Sequence, residues 1–308
     1  METENITIVK EFILLGLSTN PTIRILYFLL ILPMYFMMLF GNIVFIYTIT
    51  QTPKIHTPMY FFLCVLSFLD VCVSSSTFPK MFVDTFLQEG RISVLGCMTQ
   101  MGTIIVLASY ECNLLTVMAF DRYIAICYPL HYMTIMTWRV CKTVTGILFV
   151  FCFLSVFLPT IIKPMTFCIE NKLDHFACEI LTVLQIMCGD VSHYERSIFY
   201  QTLFATLLNL VFIVVSYICI IISLLKISST VGRTKAFSTC ASHLTVVSLF
   251  YGTIITMYLG VGNNFPPGVV KHVSLVYGVV TPMLNPFIYS LRNNEVKEAV
   301  KKNIYPQT

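Results

Sequence analysis

The chain has 308 residues, of which 57% are hydrophobic and 11% charged, and its 19 basic side chains outnumber 15 acidic ones. A soluble domain carries about 25% charged residues, so with a mean hydropathy of +0.82 a water-soluble globule is excluded. What remains is a polytopic membrane protein, with membrane lipid as a partner and no nucleic-acid partner expected.

Seven apolar runs follow one another, with approximate limits 25–49, 59–81, 98–127, 140–162, 197–225, 236–260 and 271–291. A membrane-spanning helix needs about 20 residues and a barrel strand only about 9–11, so runs of this length favour helices. The expected fold is an all-α membrane protein, a seven-transmembrane helix bundle forming one domain over residues 1–308. Ahead of the first run stand Glu2, Glu4, Lys10, Glu11 and Arg24. No apolar stretch there ends in a small-residue cleavage site, so no cleavable signal peptide is expected.

An odd number of spans puts the termini on opposite sides of the membrane. Eight basic residues then fall on the amino-terminal side and eleven on the other. The excess marks the second side as cytoplasmic. Asn5-Ile6-Thr7 is a glycosylation sequon in the amino-terminal tail, a weak signal alone. Of twelve cysteines, Cys97, Cys168, Cys178 and Cys188 fall on that same side. An even number suits two disulfides in an oxidising compartment, with three pairings open. The other eight, in or close to spans, read as small apolar packing residues. The amino terminus is expected outside and the carboxyl terminus in the cytoplasm of a plasma-membrane protein.

The spans are not uniformly apolar. Asn42 lies in the first, Asp70 in the second, Glu111 in the third and Asn285 in the seventh. Along the third, Ile104, Ala108, Glu111, Leu115, Met118 and Arg122 recur at intervals of four and three and share one helical stripe. Glu111 is about 16 Å deeper than Arg122, and Asp70 about 16 Å from Met59, by the helical rise. Two carboxylates from different helices therefore reach one level near the bilayer centre. Ionisable groups at that depth mark function by default. The alternatives are an ion, proton or water pocket and a pair of protonated acids acting as hydrogen-bond glue. A sodium ion near Asp70 and Glu111 is the one cofactor candidate.

Where the third span ends, "MAFDRYIAICYPLHY" at 118–132 sets Asp121 beside Arg122. A charged pair at that interface can hold one packing of the helix ends and be released in another, as switching proteins require. Taken alone, the two residues read as snorkelling interfacial side chains. The long connection 163–196 contains "HFACE" at 175–179, which invites a metal reading through His175, Cys178 and Glu179. A disulfide-bonded cysteine supplies no thiolate, so no metal is expected. No internal repeat and no paired broken helices of the transporter kind are seen. Beyond Arg292, Val296 and Val300 stand at helical spacing among charges, which fits a short amphipathic helix on the inner membrane surface.

"MAFDRYIAICYPLHY" resembles the signature after the third helix of odorant receptors, within the rhodopsin-like G-protein-coupled receptors. The resemblance runs nearly the whole length: "GN" at 41–42, "IHTPMYFFL" at 55–63, "LSFLD" at 66–70, "KAFSTCASHL" at 235–244 and "PMLNPFIYSLRN" at 282–293 follow in order. Departures are mild, Phe120 where tyrosine is commoner and Ile55 where leucine is usual. The resemblance implies that Asp121, Arg122 and Tyr123 form the switch admitting a G protein. Asn285, Pro286 and Tyr289 would form a seventh-helix hinge, since proline removes a backbone hydrogen bond. Asp70 and Glu111 match the family's acidic core pair, and the family pattern selects the disulfides Cys97–Cys178 and Cys168–Cys188. His243 is either a hydrogen-bonded packing histidine or a contact to the third helix that breaks on activation.

A receptor of this type binds between the outer helix halves. Depth and facing suggest Ile104, Ile105, Ala108 and Ser109 from the third span. The family pattern adds Gln201, Thr202 and Ala205 from the fifth, Tyr251, Ile254, Ile255 and Tyr258 from the sixth, and Leu275 and Gly278 from the seventh. Such a set suits small, volatile, weakly polar molecules. The implied partners are an odorant and a heterotrimeric G protein of the stimulatory olfactory type, raising cyclic AMP. A receptor for an endogenous metabolite outside the nose is the alternative within the class. No metal-hydrolase motif or nucleophile with its base is present, so an enzyme is not expected. A channel or transporter would need a polar stripe through the full membrane thickness, and the outer halves here are apolar.

Overall fold

The structure, a computed structural model, describes residues 9–87, 89–162, 165–167, 171–188, 191–226, 230–259, 267–291 and 294–304. Each apolar run becomes a helix, and local chemistry sets where it starts. α1 (Pro21–Gln51) begins behind Asn20, whose side-chain oxygen accepts from the Thr22 and Ile23 N–H groups at 2.9 and 3.5 Å. Pro21 fills the first helical position, where no N–H is needed. A 3₁₀ turn, Pro53–Ile55, leads into α2 (Pro58–Phe86). α3 (Val94–Cys127) starts behind Ser93, whose hydroxyl accepts from the Gly96 N–H at 3.1 Å. The single turn α4 (Tyr132–Ile135) precedes α5 (Trp138–Ile162), and the short α6 (Ile180–Leu184) lies within the long connection. Then follow α7 (Ser192–Leu225), α8 (Thr230–Leu259), α9 (Pro267–Leu275), α10 (Thr281–Leu291) and α11 (Asn294–Ile304).

Among the described residues, seven helical units are long and apolar enough to cross a membrane, the last combining α9 and α10. The helices overrun the expected apolar limits, because a helix continues past the hydrocarbon until a cap or proline stops it. α2 was expected to end near 81 and runs to Phe86, carried by the one-turn Lys80–Asp84 ion pair. α3 is the axis of the bundle, packed on α2, α5, α7 and α8. α5 is peripheral: it buries Cys141 and Cys152 and turns Phe149, Phe151 and Phe153 outward. α11 buries Val296 and Ala299, packs against α1 and α10, and leaves Glu298, Lys301 and Lys302 exposed. That is the amphipathic pattern read from the tail.

The seventh span is irregular for a reason written in its prolines. Pro282 and Pro286 have no N–H, so the carbonyls four residues earlier lose their helical donors. Each carbonyl is taken by a neighbouring helix instead. Ser74 Oγ on α2 donates to Gly278 O at 2.6 Å, and Asn42 Nδ2 on α1 donates to Pro282 O at 3.0 Å. Val276–Val280 relaxes into a π turn around the first of these breaks.

At the amino-terminal end of the bundle, β1 (Glu11–Leu14) lies between β2 (Gly90–Ser93) and β3 (Lys172–Leu173). β1 pairs antiparallel with β2, Glu11 opposite Ser93, and parallel with β3, Ile13 opposite Lys172. Phe12 and Leu14 point to one face and join Cys97, Met101, Leu173, Cys178 and Val183 in a buried cluster. This small sheet is an addition to the helical bundle expected from the sequence.

Candidate functional site

Three groups of candidate side chains lie along α3. The middle group is the acidic core. Asp70 on α2 is 1% exposed and Glu111 on α3 is 2% exposed. The two carboxylates are close enough to interact electrostatically, as their matching depth required. Asn285 Nδ2 donates to both Asp70 oxygens, at 3.2 and 2.9 Å, and the Tyr277 hydroxyl donates to Glu111 Oε2 at 3.2 Å. Among the described residues, the Oδ1 atoms of Asn42 and Asn285 and the hydroxyl of Tyr289 are buried without a hydrogen-bond partner. Oxygen atoms therefore dominate this centre, a donor set suited to a hard cation or to water.

The second group holds the residues expected to form the switch, at the end of the bundle that holds α11. Asp121 is fully buried, and its Oδ1 accepts from the Tyr132 hydroxyl of α4 at 2.8 Å. Its Oδ2 lies 3.9 Å from Arg122 Nε, an ion pair held without a tight hydrogen bond. The charge of Arg122 reaches Tyr217 on α7, His243 on α8 and Tyr289 on α10. His243 is fully buried, hydrogen-bonded through Nδ1 to the Tyr217 hydroxyl at 2.8 Å, with the two rings near parallel. Its side-chain hydrogen bond therefore runs to α7, and the Leu115 backbone of α3 lies beside the ring. Tyr123 is directed to Tyr128 at 3.4 Å. Pro286 touches α1 at Gly41, where an added Cβ would lie 3.2 Å from the proline ring.

The third group is the expected ligand region. Ala108 and Ile254 pack on the central core together with buried Tyr251, whose hydroxyl lies 3.1 Å from Cys112 Sγ. Ile105 packs instead on the cluster under the sheet. Ile104, Ser109 and Thr202 are half-buried, and Gln201, Ala205 and Ile255 are exposed on their helices. Leu275 and Gly278 are placed elsewhere. Leu275 is buried with Ile31, Tyr35 and Phe176. A Cβ at Gly278 would meet the Phe78 ring at 3.0 Å, so that position serves helix packing. Asn5, Cys168 and the side chain of Tyr258 lie outside the described residues.

Sequence reasoning missed Tyr132, Tyr217, Tyr277 and Cys112. Cys112 stands four residues beyond Ala108, so the periodicity that selected Ala108 also reaches it. The three tyrosine contacts bridge different elements and leave no local mark.

Above the bundle, Cys97 at the top of α3 is bonded to Cys178 in the long connection, with Cα atoms 5.4 Å apart. Cys188 is also disulfide-bonded. Gln100 reinforces the junction: its Oε1 accepts from the Cys178 N–H at 2.9 Å, and its Nε2 donates to Ser76 O at 2.8 Å. The "HFACE" residues each have a structural task. The Ala177 N–H donates to His175 Nδ1 at 3.1 Å, Cys178 is in the disulfide, and Glu179 caps α6 through the Leu181 and Thr182 N–H groups. Burial, with Lys271 nearby, holds the His175 imidazole down to about 4.

Seven apolar helices around a buried acidic centre, with a charged pair at one end of the central helix, define a helical membrane receptor. The family model for olfactory receptors matches residues 31–307. Olfactory receptor 13C9 of Homo sapiens is 45% identical, covering 98% of this chain and 97% of its own length. Olfactory receptor 5P4 of Mus musculus is 43% identical over 98% and 97% of the two chains. Olfactory receptor 13C2 of Homo sapiens is 44% identical, again over 98% and 97%. The chain belongs to the olfactory receptor family. It is a receptor and not an enzyme, a multi-pass plasma-membrane protein of a class that takes small-molecule ligands and couples to G proteins.

Proposed function

We propose that this receptor binds small, volatile, mostly apolar odorants between the outer halves of its helices and activates a stimulatory olfactory-type G protein, raising cyclic AMP. The amino terminus faces outward, and the α11 end faces the cytoplasm. The observation that carries this reading is the closed switch: Asp121 buried, held by Tyr132 and paired with Arg122. Agonist binding near Ala108 and Tyr251 would favour a second packing in which that lock is open and Arg122 meets the G protein. A ligand achieves this only through unequal affinity for the two packings. Support for the ligand class comes from the apolar character of the Ala108, Ile254 and Tyr251 region, which offers few polar groups.

The acidic centre fits a sodium ion. Asp70 and Glu111 would hold it, with Asn285 Oδ1 as a further donor, and bound sodium would neutralise the paired charge and stabilise the resting packing. The deciding experiment is a screen of chemically diverse odorants on cells reporting cyclic AMP, with Arg122→Ala alongside. Agonists should raise cyclic AMP in the wild type and fail in the variant at equal surface level. Near wild-type signalling by Arg122→Ala would remove the switch assignment.

A further inference from the structure

A cavity of about 240 Å³ opens at the end of the bundle that holds β1, between the turn after β1, the first turns of α1, the end of α2 and β3. Its roof is fixed backbone. The chain leaves β1 at Gly16, whose φ of 72° is left-handed and suits glycine. The Gly16 N–H donates to His175 O at 3.1 Å, and the Leu15 N–H to Leu173 O at 3.0 Å. Leu17, Phe28, Met81 and Phe176 supply apolar walls.

Four charged side chains line the same space, and their balance is uneven. Asp84 is paired with Lys80 through Oδ1, its Oδ2 being buried with no hydrogen-bond partner among the described residues, and Glu89 is paired with Arg91 at 2.9 Å. The cations are not neutralised in this way. Arg24 uses only Nη2, which donates to the main-chain carbonyls of Asp84, Thr85 and Leu87 at the end of α2. Among the described residues, its Nε and Nη1 have no acceptor, and neither Arg24 nor Lys172 has a carboxylate partner. The cavity therefore has a net positive, donor-rich side facing apolar walls.

We infer that this cavity is a second ligand site, one that takes a small organic carboxylate with a short apolar tail. The carboxylate takes the free guanidinium donors of Arg24, a planar fork matched to such an anion, with Lys172 as the second charge. The tail lies against Phe28, Met81 and Phe176. At about 240 Å³ the space falls just under the usual range of roughly 300–1,000 Å³ for drug-sized ligands, so the occupant is small. The site is separate from the region around Ala108 and Tyr251, and its existence does not depend on how the receptor signals.

The test uses full-length receptor in lipid discs, with octanoate, octanol and octylamine as probes of one tail and three head groups. Binding is followed by saturation-transfer NMR, with empty discs subtracted. Octanoate should bind saturably, octanol at least tenfold more weakly, and octylamine no better than octanol. Lys172→Glu, at an exposed side chain, should weaken octanoate at least tenfold, as should Leu17→Trp, which narrows the apolar side. Should Lys172→Glu fail to yield monodisperse protein, Lys172→Gln and Leu17→Trp carry the comparison. Equal binding of octanoate and octanol would overturn the inference by reducing it to apolar partition. Tighter octylamine binding would overturn it in favour of Asp84 and Glu89. Octanoate binding untouched by the substitutions would place that ligand elsewhere and overturn it too.

Discussion

Tyr132→Phe removes one hydroxyl and leaves the ring. That hydroxyl donates to Asp121 Oδ1 at 2.8 Å, and Asp121 is 0% exposed. A hydrogen bond to a charged group contributes about 1.5–3 kcal/mol. Asp121 has little to replace it, since Oδ2 has no hydrogen bond and Arg122 Nε stays 3.9 Å away. With the bond present only in the resting packing, its loss moves the resting-to-active ratio by about 10- to 100-fold, because about 1.4 kcal/mol is a factor of ten. The assay is basal cyclic AMP divided by surface-labelled receptor. Tyr128→Phe is the control, because that hydroxyl makes only a 3.4 Å contact with Tyr123 at an exposed position. Basal output should rise in Tyr132→Phe and stay level in Tyr128→Phe. Unchanged basal output from Tyr132→Phe at normal surface density refutes the reasoning, since the bond would then hold both packings equally.

Cys178→Ser should abolish surface delivery: the Cys97–Cys178 bond spans 81 positions, and closing a loop of that length contributes about 4–5 kcal/mol by chain entropy. Flow cytometry on intact cells reads the result, and normal surface level in the variant contradicts it. Raising sodium at constant ionic strength should lower agonist affinity in lipid discs, and Asp70→Asn should flatten that response; a flat wild-type response eliminates the ion. The pH dependence of the long connection follows from His175, held at about 4 against about 6.5 for a free histidine. Because the folded value is the lower one, the stabilisation is full above about pH 6.5 and fades as pH falls toward 4, with about 1.4 kcal/mol lost at pH 5.5. Amide exchange across residues 171–188, corrected for intrinsic rates, should be faster at pH 5.5 than at 7.5, and His175→Phe should lose the difference.

The sequence displayed whatever depends on depth and period. Seven spans, the proximity of Asp70 and Glu111, and the Asp121–Arg122 pair near the end of the third span all follow from counting residues along helices, and each is realised in the structure. Pairings across elements were hidden. β1 carries no local mark of a strand, because its partners are β2 and β3, far along the chain. Tyr132 and Tyr217 are ordinary aromatic residues until α4 and α7 bring them to Asp121 and His243. The hinge was placed at Asn285, Pro286 and Tyr289, and the structure adds a π turn centred on Gly278, one proline earlier. Reading both prolines as freed carbonyls, rather than one as a kink, would have pointed to Ser74 and Asn42 as their donors.

The order in which the chain is made gives the small sheet another meaning. Residues of β1 leave the ribosome before the seven spans, yet 160 positions separate Glu11 from Asn171, beside β3. At synthesis rates of about 5–20 residues per second, the strand waits roughly 10–30 s while four spans enter the membrane. Until then the strand edge that faces β3 has no backbone partner. The first edge can pair with β2 after two spans, and the second closes only once the long connection has arrived and taken its place over α3. β1 thus joins the two ends of the amino-terminal half, and a chain halted before residue 172 lacks the strand that completes the sheet.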